Sequence, residues 1–195
     1  AAPGWAGLAP DAATLGTALK GVMLDVCPLS RDAGEETATA AAGLGELWRA
    51  ANITDIARLG AFNADPLGTL ALTGSLRQPL DVALAEAAKL AAIALGAPHL
   101  TAVVADGHPY HAAGASDAQA LAAVLATLTA YLRALDTAGI APAQALPKIA
   151  INLAVDADQI LGIAKLRAAR RLVWQVASAC GAGDAVAQMA FGAET

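Results

Sequence analysis

"HLTAVVADGHPYHAAGASDAQALAAVLATLTAYLRALDTAG", His99–Gly139, decides the fold. It opens with an apolar run that ends at Asp106, is broken by Gly107 and Pro109, and resumes at Ser116 as a long Ala/Leu-rich segment. A short apolar run with little polar alternation is a strand covered on both faces. Ser116 supplies an N-cap to the resumed segment and Gly139 a stop, so Ser116–Gly139 is predicted to be a helix. Strand, polar loop and helix form one unit of a parallel sheet. The loop holds two of the chain's three histidines, His108 and His111.

The same grammar repeats on both sides. "GVMLDVCPL" (Gly21–Leu29) reads as a buried strand closed by Pro28, and Glu35–Asn52 as a helix with acids in its first turn, where the dipole favours them. "RLGAFNADP" (Arg58–Pro66) reads as a short strand and loop, and Pro79–Gly96 as a helix begun by Pro and stopped by Gly. "KIAINLAV" (Lys148–Val155) is a fourth strand, Asp156–Gly181 a fourth helix, and "DAATLGTALKG" an extra N-terminal helix. Strand-then-helix units at roughly 40–50-residue intervals imply parallel strands joined by right-handed crossovers. This is an α/β chain with about four parallel βα units, and two architectures fit it: an open doubly wound sheet, or part of a (β/α)8 TIM-type barrel, which needs about 250 residues when complete. On a partial barrel Met23, Val103, Ile149 or Ile151 would lie on the uncovered inner face.

The 195 residues suffice for a sizeable core, and the whole of 1–195 reads as a single domain. The chain is 57% hydrophobic but only 4% aromatic, so Ala and Leu do most of the filling. Trp48 and Trp174 are expected as core anchors. A net charge of −5 without a basic tract argues against nucleic acid. With no charge-free apolar stretch of about 20 residues and no signal peptide, a cytoplasmic protein without a membrane partner is expected. Cys27 and Cys180 are expected as buried free thiols. Arg167, Arg170 and Arg171 fit a solvated or ion-paired helix face, or an inter-chain contact.

In either architecture ligand groups belong at the C-terminal strand ends. Those loops offer Ser30, Arg31 and Asp32, then Asn63 and Asp65, then Asp106, His108, Tyr110 and His111, and finally Asp156 and Asp158. No nucleophile elbow, phosphate-binding Gly loop or Rossmann fingerprint is present. "GAGDAVAQ" (Gly181–Gln188) follows a helix and reads as a loop.

"AGASDAQ" (Ala113–Gln119), "IAKLRAARRLVW" (Ile163–Trp174) and "FNADPLGTLA" (Phe62–Ala71), at these separations, resemble the methylmalonyl-CoA mutase family over about Gly21–Gly181. The resemblance implies the middle of the family's substrate-binding barrel, without its flavodoxin-like cobalamin domain. It also implies an adenosylcobalamin-dependent isomerase that interconverts methylmalonyl-CoA and succinyl-CoA. Catalytic chains of the family read Gly-Tyr-His where this chain reads Gly107-His108-Pro109. Pro109 therefore takes the position of the His and offers no acid, base or donor. The resemblance also matches Asn63 to a Gln, Thr101 to a substrate-binding Asn, and Lys148 to an Arg, whose bidentate fork Lys lacks.

Asn63, Thr101, His108 and Lys148 are accordingly the vestigial substrate-binding set, and no catalytic residue and no metal ligand is expected. "DGHPYH" (Asp106–His111) begins like the cobalt-ligating pattern Asp-x-His-x-x-Gly, but His111 stands at the Gly, so His108 and His111 are expected as loop histidines. The pattern resembles the small, non-catalytic chain of the two-chain mutases. Its expected partner is the catalytic large subunit. Adenosylcobalamin is then a cofactor of the family's holoenzyme, not one bound by this chain. A CoA ester binds only if the site survives, and open sheet edges favour self-association.

Overall fold

In a computed structural model, residue 9 and residues 11–194 are described. Helix α1 (Ala12–Ala18) is capped by Asp11, which accepts from the Thr14 N–H. After it come β1 (Leu29–Ser30), α2 (Thr37–Ala50), β2 (Gly60–Ala64), α3 (Pro66–Thr73) and α4 (Leu80–Ala94). The second half runs β3 (Leu100–Asp106), α5 (His108–Ala112), α6 (Asp117–Thr137), α7 (Pro142–Ala145), β4 (Ile149–Ala154), α8 (Gln159–Ala179) and β5 (Phe191–Glu194). Ser116 caps α6 where the sequence put it, closing a full capping box with Gln119, while α8 begins three residues later than the sequence reading, with Asp158 as its cap accepting from Leu161 N–H.

The five strands lie in the order β1-β2-β3-β4-β5, every neighbouring pair parallel, and curl into half a barrel. Of the two architectures left open by the sequence, the barrel segment is the one adopted. Register fixes the faces. Val103 pairs with Ile149 and Ala105 with Ile151, and all four are at most 1% exposed. Leu153, in line with them, and Val124 of α6 would both lie within 3.5 Å of a Cβ on Gly107, so this side faces the helices. Val104 opposite Ala150 and Asp106 opposite Asn152 occupy the other, concave side. Val103, Ile149 and Ile151 thus belong to the helix-covered core, and not to the inner face where they were expected.

Gly21–Leu29 is not a strand. Met23 and Val26 are 62% and 59% exposed, and only Leu29 and Ser30 pair with β2. The run is apolar in composition, but Asp25 and Pro28 interrupt it and no helix covers it. β1 approaches so closely that a Cβ on Gly60 (φ +135) would lie 2.0 Å from Leu29 O. Only glycine fits there. Four elements escaped the sequence reading: α3, begun by Asp65 as cap and Pro66; the five-residue α5; the four-residue α7; and β5. "GAGDAVAQ" contains a 3-10 turn, Gly183–Gln188.

The core is built largely of Ala, Leu and Ile, with Trp48 at 1% exposure stacked obliquely on Phe62, centroids 6.2 Å apart. Trp174 is no core anchor: it is 52% exposed, beside an open groove of ≈ 420 Å³. Cys180 is exposed and Cys27 half-buried, and both are free. Arg170 lies over the Phe191 ring, 5.1 Å from its centroid, so part of the arginine stripe holds β5. α6, which carries Asp117, Arg133 and Asp136, is long and apolar enough to cross a membrane by length and composition. It instead lays Leu121, Val124, Leu128, Tyr131 and Leu135 into the core, as the central helix of a globular domain does.

Candidate functional site

The C-terminal ends of β2, β3 and β4 gather the polar groups. At the end of β2 the ladder shifts register between Ala61 and Ala64, and Asn63 adopts φ +53, a left-handed conformation Asn tolerates. Its Nδ2 donates to Ser30 Oγ at 2.9 Å, joining β2 to β1. Asp65 then caps α3, accepting the Gly68 N–H at 2.8 Å, and also accepts from Tyr131 Oη. Tyr131 Oη in turn accepts the Leu67 N–H at 3.1 Å, so one phenol and one carboxylate tie α6 to the start of α3. Burial raises the Asp65 carboxyl to about 6. The Tyr131 and Gly68 hydrogen bonds oppose that shift, and the charge of Asp106 adds to it. Burial, and then the Asp65 charge, raise the Tyr131 phenol, which stays protonated. Asp65 lines a cavity of ≈ 50 Å³ together with Glu35, Gln78 and Glu86.

At the end of β3, Asp106 Oδ1 accepts from both the backbone N–H (3.1 Å) and Nδ1–H (2.6 Å) of His108. His108 and Pro109 form the first turn of α5, which no side chain caps. Tyr110 Oη lies 3.4 Å from Thr127 Oγ1, and His111 Nε2 lies 3.4 Å from Asp156 Oδ1. His111 is therefore a link between two loops. At the end of β4, Lys165 reaches in from α8. Its Nζ donates to Ala154 O at 2.8 Å and pairs with Asp117 Oδ1 at 2.7 Å.

The four residues expected to bind substrate are not brought together. Asn63 and His108 stand at the C-terminal ends. Thr101 pairs with Ala61 near the start of β3, and Thr101 and Asp106 are about 16 Å apart along an extended strand. Lys148 precedes β4, 5% exposed, and its Nζ donates to the carbonyls of Ala97 (2.7 Å), Leu100 (3.3 Å) and Pro98 (3.4 Å). Burial lowers its pKa. That ammonium is committed to the backbone. The sequence reading missed the Asp65–Tyr131 pair, the Asp106–His108 dyad and the Lys165–Asp117 bridge. Asp-Pro at the start of a helix and Asp two residues before a His were readable signals. The partnership of Lys165 with Asp117 was not.

Set beside known proteins, residues 4–195 match the family model described as methylmalonyl-CoA mutase. The chain belongs to the methylmalonyl-CoA mutase family. It is 47% identical over 171 residues to the methylmalonyl-CoA mutase small subunit of Streptomyces virginiae, covering 88% of this chain and 27% of that protein. It is 36% identical over 182 residues to the probable methylmalonyl-CoA mutase small subunit of Mycobacterium bovis, covering 91% of this chain and 28% of that one. The Propionibacterium freudenreichii small subunit matches at 42% over 73 residues, 37% of this chain and 11% of that protein. The chain thus spans about a quarter of the length of the first two relatives.

The mutase family uses adenosylcobalamin. Pro109, in the first turn of α5, stands where the resemblance places the family's His, and proline offers no contact by hydrogen bond. The neighbouring His108 has its Nδ1 engaged by Asp106. Among the described residues no group of three His, Cys, Asp or Glu could hold a metal ion.

Proposed function

We propose that this chain, residues 1–195, is one domain-sized piece of the substrate barrel of a mutase small subunit, acting as the non-catalytic structural partner of the large catalytic chain. Pro109 on α5 carries the reading. Where the family's catalytic chains place an imidazole, this chain places a side chain that can neither donate nor accept a proton. The names of the relatives, small subunits all, support it. Lys148 points the same way, its charge held by three carbonyls at the far end of β4.

On this reading the activity of the assembly is the isomerisation of methylmalonyl-CoA and succinyl-CoA in the cytoplasm. Adenosylcobalamin is held by the catalytic chain and not here. The small subunit contributes a folded surface. The test uses the full-length protein with and without its large subunit. Co-elution of the two chains, and isomerisation only in the mixture, are expected. Cobalamin-dependent isomerisation by the small subunit alone, or failure of the chains to associate, would overturn the proposal.

A further inference from the structure

The long helices that cover the sheet do not all show solvent the same face. α6 turns Ala118, Ala122 and Ala126 outward, and α2 turns Ala38 and Ala42 outward. α8 turns out large side chains: Ile160 is 80% exposed, and Leu161, Ile163 and Trp174 are each more than half exposed. At about 100° per residue, Ile160, Ile163, Arg167, Arg170, Arg171 and Trp174 fall in one arc of the helix, a strip about 21 Å long. Their spacing of three and four residues is that of a seam against a second helix. At its far end the strip runs into the open groove of ≈ 420 Å³ beside Trp174, walled by Gly181, Ala182 and Gly183.

The charge on this strip is out of keeping with the chain. The net charge is −5, yet α8 carries Lys165, Arg167, Arg170 and Arg171 and no acid from Gln159 to Ala179. Lys165 turns inward to Asp117. The three arginines are exposed, and none pairs with a carboxylate among the described residues. Arg170 covers Phe191 and keeps its charge. Inside this domain helix meets helix through Ala, Leu and Val. Arginine set between isoleucine and tryptophan is instead the composition of a surface that meets another chain, where Trp and Arg are enriched and carry much of the binding energy. A second copy packed here about a two-fold axis would set Arg167 and Arg171 against their own counterparts. The complementary surface is an acidic one.

We propose that the outer face of α8 is the docking surface for an acidic amphipathic helix of the large catalytic chain. Carboxylates at the middle of that helix meet Arg167, Arg170 and Arg171. Apolar side chains at its two ends cover Ile160 and Ile163 on one side, and Trp174 with its groove on the other. The apolar ends supply buried area, and the charges set register and partner choice. A nucleic-acid backbone would answer the arginines but leave Ile160 and Ile163 in water. The inference rests on the structural-partner function proposed above; it says which face carries that function and what chemistry fits it.

The experiment titrates the full-length small subunit with the large subunit and reads the dissociation constant at low and high salt. Arg167→Glu combined with Arg171→Glu is expected to weaken association at least about a hundred-fold and to flatten its salt dependence. Trp174→Ala should weaken it at least about ten-fold. Arg49→Glu combined with Arg133→Glu, on the outer faces of α2 and α6, changes the net charge equally and should leave the constant within about three-fold. Should the α8 variants unfold, hydroxyl-radical labelling of the parent protein decides: Ile160 and Trp174 are labelled in the free small subunit and protected in the complex. Association unchanged by the α8 substitutions, equal weakening by the control pair, or labelling unaltered by the large subunit would overturn the surface. So would protection of Trp174 in the free small subunit, which would show its own chain covering the face. Binding of a DNA duplex that the α8 substitutions abolish, with association intact, would assign the arginines to nucleic acid and overturn it as well. Each of these results leaves the structural-partner function standing, whereas chains that fail to associate at all refute that function and this surface together.

Discussion

The two ends of β4 are finished differently. At the N-terminal end Lys148 is buried and its ammonium donates to three backbone carbonyls from the α4–β3 connection. At the C-terminal end Lys165 is as deeply buried but faces a carboxylate, and among the groups at the C-terminal strand ends His108 Nε2 and Asn152 Oδ1 are buried without a partner among the described residues. At the first end the Lys148 ammonium is matched to acceptors, while the Trp48 Nε1 and Arg58 Nε donors near the start of β2 have no partner among the described residues. The second leaves a surplus of acceptors among acids. In a parallel barrel the first pattern is that of the stability face and the second that of the ligand face. The two ends of β4 thus differ in what their buried lysines meet, backbone carbonyls at one and a carboxylate at the other.

The largest way to break the contrast is pH. The Asp65 carboxyl sits at about 6 in the fold against an ordinary 3.8. The folded state binds the proton more tightly than the unfolded chain, so this group stabilises most below pH 4 and its contribution is lost as the pH rises through 6. The loss amounts to about 3 kcal/mol at full effect. Asp65→Asn keeps an acceptor for the Gly68 N–H and the Tyr131 hydroxyl but cannot ionise. Urea unfolding should show the parent losing stability between pH 4 and 6, the variant staying flat, and the variant being the more stable at pH 7. A parent that gains stability over that range would show the sign to be wrong.

The opposite end should respond to a neutral side chain of similar length. Lys148→Met leaves the carbonyls of Ala97, Pro98 and Leu100 without their donor, while relieving the burial of a charge. A net loss of about 2 kcal/mol is expected, read as a lower urea midpoint at unchanged slope. An unchanged midpoint would mean that the lysine merely fills space. The smallest effect belongs to the exposed link between loops: Asp156→Asn, which weakens the contact with His111, should cost about 0.3 kcal/mol and be almost erased by salt.

Much of this organisation was legible in the residues. β3, β4, α4, α6 and α8 could be read because their apolar runs are long and bounded by Ser116, Asp158, Pro79 and the glycines that cap or stop them. Gly21–Leu29 misled because hydrophobicity alone does not make a strand. Nothing packs over Met23 and Val26, and backbone pairing begins only at Leu29. β5 was missed because Phe191–Glu194 is four residues long, carries a glycine and ends on an acid, and gains its place from pairing with β4 and from Arg170. For the site, the sequence named His108 and Asn63 at the correct end but grouped them with Thr101 and Lys148. Resemblance aligns positions along a strand without saying toward which end a long side chain turns. Trp174 failed for the same reason, since helical spacing in an Ala-rich chain hardly separates inside from outside.

The Asp65–Tyr131 contact also constrains time. It joins residues 66 positions apart, and it gives the Leu67 N–H its partner. The Asp65 cap on the Gly68 N–H is local, but the Leu67 partner cannot be in place until the chain has passed through α4, β3 and most of α6, and closing a loop of that length carries an entropic cost that local contacts avoid. The clasp on the first turn of α3 therefore belongs to the late events of folding. The rim of the half-barrel at β2 is assembled only after the helix that clasps it has docked, so the order in which the chain folds runs partly against the order in which it is written.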